Sequence, residues 1–374
     1  LRQGIMSVLV VSALIGLVSL AVSPFLPVWL GGGSDITPTA SAYFAIVATA
    51  LPIFQFSIFG AGMLRSSGNM VVPSVMSVVM MSLDVVFNFF LIFPTRPVQL
   101  FGAEVTIPGM GMGVVGAAIG TVSAELVAAS ITMYILCFRS KELSLRIDTG
   151  RFLPTWGVVK RALHISLPMG LQQTIMCSAY VMTTIIIAPL GTFAIAANSF
   201  GVIVESLCYM PGYGIADAAT TLVGQSIGAG RHELMKRFAC LAVGLGVTVM
   251  AVMGVVMYVG APVAMVMMTP AEEVRRLGVV VLRREAFAEP MFAAAIVSYG
   301  VFVGAAKTLV PSIMNLVSIW GVRISLAALL APSMGLRGVW IAMCIELCFR
   351  GFIFLVKLKF WNIQTSCNHY GKDQ

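Results

Sequence analysis

The chain has 374 residues, of which 59% are hydrophobic and only 10% charged, against about 45–50% and 25% in ordinary soluble domains. Its mean hydropathy of +0.98 means more apolar surface than one core of this length can bury, which excludes a soluble globular protein and makes lipid the solvent for much of the chain. The net charge of +8 does not call for nucleic acid, because the Lys and Arg fall mostly in short loops between apolar runs, as positive-inside topology requires.

Apolar runs long enough to cross a bilayer predict ten spans, at 5–30, 39–64, 71–93, 111–138, 162–190, 193–223, 238–268, 285–303, 309–331 and 336–356. The first lacks the basic leader and small-residue cleavage site of a signal peptide. Turn chemistry separates the spans: Gly31 to Asp35, Pro94 to Pro108, the charged stretch Arg139 to Arg161, Gly191, and Gly228-Ala229-Gly230-Arg231. With the N-terminus in the cytoplasm, Arg2, Arg65, the 139–161 cluster, Arg231, Lys236, Arg237, Lys307 and the tail lysines fall inside. Arg96, Arg275, Arg276, Arg283, Arg284 and Arg337 fall outside. The excess inside places both termini in the cytoplasm of a multi-pass plasma (inner) membrane protein.

Several chemistries drop out. Seven Cys form no Cys-x-x-Cys pair and three His stand far apart, so no metal site is expected. Gly224 to Gly230 lacks the Gly-Lys-Ser/Thr ending of a phosphate loop, and no Gly-x-Ser-x-Gly or His-Glu-x-x-His element occurs, which argues against an enzyme.

An internal repeat organises the chain. Val72-Pro73-Ser74-Val75-Met76 recurs as Val310-Pro311-Ser312-Ile313-Met314, an offset of 238 at which Gly62 meets Gly300. The next span opens Gly113-x-x-Gly116-x-x-Ile119 in one half and Gly335-x-x-Gly338-x-x-Ile341 in the other. Residues 5–30 pair with 238–268, so the spans at 162–190 and 193–223 have no first-half counterparts. The expected fold is an all-α polytopic membrane protein of two pseudo-symmetric lobes showing ten of twelve helices. The lobes are an incomplete N-terminal one of four helices (1–138) and a C-terminal one of six (162–358), with a cytoplasmic linker at 139–161 and a cytoplasmic tail at 359–374. Roughly 60 to 80 further N-terminal residues, two spans, are expected upstream.

The stretch Pro211 to Arg231, PGYGIADAATTLVGQSIGAGR, resembles the signature ending the eighth helix of the multidrug and toxic compound extrusion (MATE) family. Arg65-Ser66-Ser67-Gly68-Asn69 with Pro73 resembles that family's Arg-Gly-x-Gly-Asp-x-x-x-Pro turn, and Ala188-Pro189-Leu190-Gly191 the end of its seventh helix. The resemblance runs from about Ile5 to about Lys359. It implies two six-helix lobes around a central cavity and export of small organic cations and drugs coupled to proton or sodium antiport, without a cofactor. Within the family the chain looks most like the DinF-like prokaryotic branch. There Asp84 matches a fifth-helix aspartate of a proton site, Met80 replacing the asparagine four residues before it. Met176 and Phe292 stand where the sodium-linked branch carries acids.

Ionisable groups within spans carry the chemistry, because charge in hydrocarbon is costly unless it faces a partner or a cavity. Six carboxylates qualify: Asp84, Glu125, Glu205, Asp217, Glu289 and Glu346. Asp84 shares a helix face with Asn88 one turn later, and with Glu205 these are the expected proton or cation coupling residues, the alternative being structural hydrogen bonding. Asn198, Glu205 and Tyr209 form one helical stripe that fits either a cavity wall or a bonded, protonated carboxyl. Gln172, Gln173 and Glu289 are placed with Asn198 and Tyr209 in the substrate cavity. Arg323 is the one base deep within a span and is expected to pair with Glu346 or Glu205, or else to serve substrate binding or conformational change; Arg350, four residues after Glu346, is the local alternative partner. The expected partners are small organic cations and membrane lipid, not nucleic acid, and the chain is expected to be monomeric. A lipid-linked precursor flippase, or a truncated chain without activity, are the competing readings.

Overall fold

The computed structural model describes residues 1–29, 37–100, 103–140, 143, 145 and 152–360. They fall into two compact units, Leu1–Val159 and Lys160–Gln374, which divide within the charged 139–161 stretch. The Gly31 to Asp35 turn, residues 141, 142, 144 and 146–151 of that stretch, and residues 361–374 lie outside the described residues. Among the described residues eight helices are long and apolar enough to span a membrane, and ten spans result if each of two bent helix pairs is one crossing. This is a polytopic, all-α membrane protein.

The first unit holds α1 (Arg2–Val22), a short α2 (Leu26–Trp29), α3 (Thr37–Thr49), α4 (Leu51–Ser66), α5 (Val71–Ile92) and α6 (Gly113–Tyr134), the last running on into a π-turn, Ile135–Arg139. α6 is its centre, packed by α3, α4 and α5. Gly60 on α4 lies against Thr132 and Met133, and a β-carbon at Gly120 would overlap the carboxamide oxygen of Asn88 on α5. One feature falls outside the expected spans and turns: an antiparallel hairpin of β1 (Pro94–Leu100) and β2 (Ala103–Met110) joins α5 to α6. Val98, Val105 and Ile107 favour extended backbone, and Pro94, Pro97 and Pro108 forbid a helix there.

The second unit holds α7 (Trp156–Ile187) with a 3₁₀ turn (Ala188–Leu190), α8 (Thr192–Gly228), α9 (His232–Met268), α10 (Glu272–Glu285), α11 (Glu289–Gly304), α12 (Leu309–Leu316), a π-helical segment (Val317–Ile324), α13 (Ser325–Met334) and α14 (Leu336–Lys359). α11 is buried on nearly every face, from Phe292 to Phe302, as expected of a helix that is apolar all round. In lipid, helices associate through close packing and hydrogen bonds, so small residues decide where they meet. Gly300 sits against the Ala216 carbonyl of α8, Gly304 against Thr220, and Gly351 of α14 against Met291. Thr220 also donates to the Gly300 carbonyl at 2.8 Å. The sequence reading places 269–285 in a connection, but it is the amphipathic helix α10, bent by 61° from α11. Val274, Gly278, Val281, Leu282 and Glu285 form its buried stripe.

The internal repeat holds in atomic detail. In the first unit Pro52, lacking an N–H, cannot bind the Ala48 carbonyl, and α3 bends from α4 by 45°; Gly16 of α1 lies against the Ala48 oxygen, where a β-carbon would stand 3.1 Å away. In the second unit Pro290, Ala286 and Gly254 of α9 occupy the same three roles at the α10–α11 bend. The turns that follow also match. Asn69 N–H binds the Leu64 carbonyl at 2.9 Å and Lys307 N–H the Phe302 carbonyl at 3.0 Å, with positive φ at Gly68 (88°) and Ala306 (56°). Further on, Gly116 packs on the Leu91 carbonyl and Gly338 on that of Leu330.

Candidate functional site

Four glutamates of the second unit are buried: Glu205 on α8 is 8% exposed, and Glu285, Glu289 and Glu346 are fully enclosed. They divide into two groups with different chemistry. Glu346 is held on one oxygen, while its Oε2 is enclosed without a donor. Ser318 donates to its Oε1 at 2.6 Å, and Arg350 Nε lies 3.0 Å from the same oxygen. The Arg350 guanidinium also stands 5.2 Å above the Phe292 ring, which meets Tyr209 edge-on at 5.6 Å. This is a neutralised structural pair, and it assigns Glu346 the local partner rather than Arg323.

The other group surrounds the α10–α11 bend. Glu285 closes α10, Glu289 opens α11, and the Glu205 carboxyl approaches Glu285 from α8. Both oxygens of Glu285 and both of Glu289 are enclosed without a hydrogen-bond donor. A buried acceptor without a donor costs about 1–3 kcal/mol, so the arrangement is incomplete as it stands. A proton on either carboxyl of the Glu205–Glu285 pair would supply a donor to the other. Among the described residues no set of three His, Cys, Asp or Glu side chains has the spacing to hold a metal ion. The first unit has a smaller counterpart: Asp84 and Asn88 share a face of α5, and one oxygen of each is enclosed without a donor.

The remaining expected site residues separate. Asn198 accepts a hydrogen bond from the buried Trp340 indole at 3.1 Å, and Trp340 in turn lies on Gly201, which ties α8 to α14. Gln172 accepts from Ser312 at 2.7 Å, tying α7 to α12, while Gln173 is exposed. Arg323 touches neither Glu346 nor Glu205. Its Nη2 contacts the Met343 sulfur, and it lines a pocket with Met176, Ala179, Tyr180, Thr183 and Ile319. The expected ion pair therefore forms at Arg350 instead. The cause is local: residues five apart on an α-helix would lie about 140° apart, but the π-helical segment brings Ser318 and Arg323 to the same α14 neighbour, three residues apart on it.

The MatE family profile matches residues 1–90 and 168–329, well over half of the chain. The chain belongs to the MatE family. Among curated relatives of this MatE chain, a probable multidrug resistance protein NorM of Thermotoga maritima is 26% identical over 328 residues, covering 86% of the chain and 67% of the relative. A protein of the same description from Xylella fastidiosa is 28% identical over 238 residues, 63% of the chain and 50% of the relative. The chain thus spans between half and two thirds of the length of these relatives. Solved structures share the fold. An outward-facing multidrug resistance MATE transporter of the MOP superfamily superposes with a TM-score of 0.84 at 19% identity, covering 95% of the chain and 76% of that structure. A MOP superfamily transporter from Pyrococcus furiosus, described as having a binding pocket of reverse polarity, gives 0.84 at 18%, covering 96% and 78%.

Within this MatE chain, Glu285 is the site residue that sequence reasoning missed. Four arginines, Arg275, Arg276, Arg283 and Arg284, mask α10 as a charged loop. The signal was present in the helical spacing of Val274, Gly278, Val281 and Leu282, which carries Glu285 onto the buried face.

Proposed function

We propose that this protein is a cation-coupled exporter of small organic cations and drugs, working by alternating access of two lobes in the plasma (inner) membrane, as a monomer with both termini cytoplasmic. The observation that carries the reading is the set of enclosed carboxyls without donors at a helix break within a MatE membrane protein. Coupling ions in transporters bind where spanning helices are interrupted, and a membrane-buried acid that is not neutralised by a partner marks an ion path. Binding of a proton or sodium ion there lowers the energy of one lobe conformation, and the drug-bound conformation is released in exchange. The Glu205–Glu285 pair suits a proton, because one proton completes a hydrogen bond that two carboxylates cannot make. Asp84 and Asn88 give the N-terminal lobe a second such site, in keeping with a proton-coupled rather than sodium-coupled branch. The description of the Thermotoga maritima relative as a multidrug resistance protein supports the choice of cargo. The test is efflux of a fluorescent organic cation from proteoliposomes under an imposed proton or sodium gradient. Gradient-dependent efflux is the expected result, and efflux equal to empty liposomes under both gradients would overturn the proposal.

A further inference from the structure

All six bases that the sequence reading places on the outer side of the membrane are arginine, while every lysine falls inside. Positive-inside topology gives those arginines no purpose, and four of them stand on α10: Arg275, Arg276, Arg283 and Arg284. Arg276 and Arg283, two turns apart, share the exposed face of that helix, and Phe287 in the bend that follows is 76% exposed. Arg283 is positioned without being neutralised. Its Nε–H donates to the Tyr258 carbonyl of α9 at 3.2 Å, and its guanidinium lies 5.2 Å above the Tyr258 ring, which meets Phe287 edge-on at 5.7 Å. Among the described residues neither Arg276 nor Arg283 forms an ion pair, and the other N–H groups of Arg283 have no acceptor.

The surface beside these residues is hydrocarbon. Leu241, Leu245, Val252, Val255 and Val259 form one exposed stripe along α9, so this side of the unit faces lipid. From the α9–α10 turn inward the order is Arg276, Arg283, Phe287, then Val255 and Val252: charge first, apolar surface after. We propose that Arg276 and Arg283 dock the phosphodiester of an anionic phospholipid of the bilayer, whose acyl chains run over Phe287 and the α9 stripe. A guanidinium fork matches two phosphate oxygens where an ammonium meets one, and Tyr258 stands at the headgroup level that interfacial aromatic residues occupy. A zwitterionic lipid brings its own cation beside the phosphate, so two arginines without carboxylates favour a lipid of net negative charge. The site belongs to the second unit alone, because at the repeat offset Arg276 and Arg283 correspond to Pro38 and Ala45.

The test uses the full chain carrying Phe287→Trp in phosphatidylcholine liposomes that contain a minor fraction of either phosphatidylglycerol or phosphatidylcholine brominated in its chains. Bromine quenches an indole that it touches, so quenching of the added indole, taken as the difference from the chain without the substitution, reads which lipid occupies this patch. The expected result is an enrichment of phosphatidylglycerol over phosphatidylcholine of about tenfold, the scale set by one or two bases at a membrane surface. Adding Arg276→Gln and Arg283→Gln should reduce it to less than about twofold. Equal quenching by the two lipids, or an enrichment that survives both substitutions, would overturn the proposal. So would loss of the enrichment on adding inorganic phosphate, which would make the patch a site for free anions rather than lipid. Should the double variant lose its helical circular dichroism, Arg276→Gln alone, at an exposed position, takes its place: the enrichment should fall about threefold, and an unchanged enrichment would overturn the proposal.

Discussion

The contrast between the two mid-lobe arginines shows how strongly a single partner determines what a buried charge does. Arg350 neutralises a fully enclosed Glu346, so Arg350→Leu leaves that carboxylate unpaired and should destabilise the fold by about 3–5 kcal/mol. Arg323→Leu removes no partner from any carboxylate, and should cost less than about 1 kcal/mol in packing on Met343. Reversible unfolding of the two variants in the same detergent orders them, and equal losses would mean that Arg323 does serve as a counter-ion. The sequence holds both readings of Glu346 open, because Arg350 at i+4 and Arg323 on the preceding span are both plausible partners by spacing. The choice depends on the π-helical turn at Val317–Ile324, which no residue pattern announces. Asp84 and Asn88 are more legible, since an unbroken α5 preserves the i, i+4 relation. Asp84→Asn should leave folding intact and reduce gradient-driven efflux at least tenfold, the loss expected when a coupling group can no longer carry charge; unchanged efflux would remove Asp84 from the mechanism.

At the scale of elements, the repeat makes quantitative comparisons possible inside one chain. Gly68 and Ala306 occupy the same turn with positive φ, a conformation that costs an L-residue about 1–2 kcal/mol. Ala306→Gly should therefore stabilise the second unit by about 1 kcal/mol, and Gly68→Ala should destabilise the first by a similar amount. Thermal unfolding that moves in the same direction for both would contradict the assignment. Close packing gives a second test. A β-carbon at Gly300 would stand 2.6 Å from the Ala216 carbonyl, so Gly300→Ala should cost about 1–3 kcal/mol through forced separation of α8 and α11. The positions of the spans were legible because hydrophobic length is a strong signal in a membrane chain. The hairpin between α5 and α6 was not, since its two short strands carry weak alternation among prolines and glycines. α10 was hidden by its own arginines, of which Arg283 lies over the Tyr258 ring at 5.2 Å and donates to the Tyr258 carbonyl at 3.2 Å.

For the whole molecule, the repeat supplies the scaffold and the departures from it supply the proposed chemistry. Both units bend a helix pair at a proline whose released carbonyl is met by a glycine. Only the second unit places acids on either side of that bend: at the repeat offset Glu285 and Glu289 correspond to Val47 and Leu51. The polytopic class and the repeat follow from the sequence, and so do Glu205 and Glu289 as buried acids. Their convergence with Glu285 does not, because it requires the 61° turn between α10 and α11. The central claim is that this carboxyl group couples an ion gradient to export. Its most direct test is efflux of a fluorescent organic cation from proteoliposomes under a proton gradient, comparing the unaltered protein with Glu205→Gln/Glu285→Gln/Glu289→Gln. Glutamine keeps the shape and cannot take up or release a proton, so the account predicts that the triple variant still binds the dye but loses gradient-driven efflux. Efflux at the unaltered rate in the triple variant would contradict it.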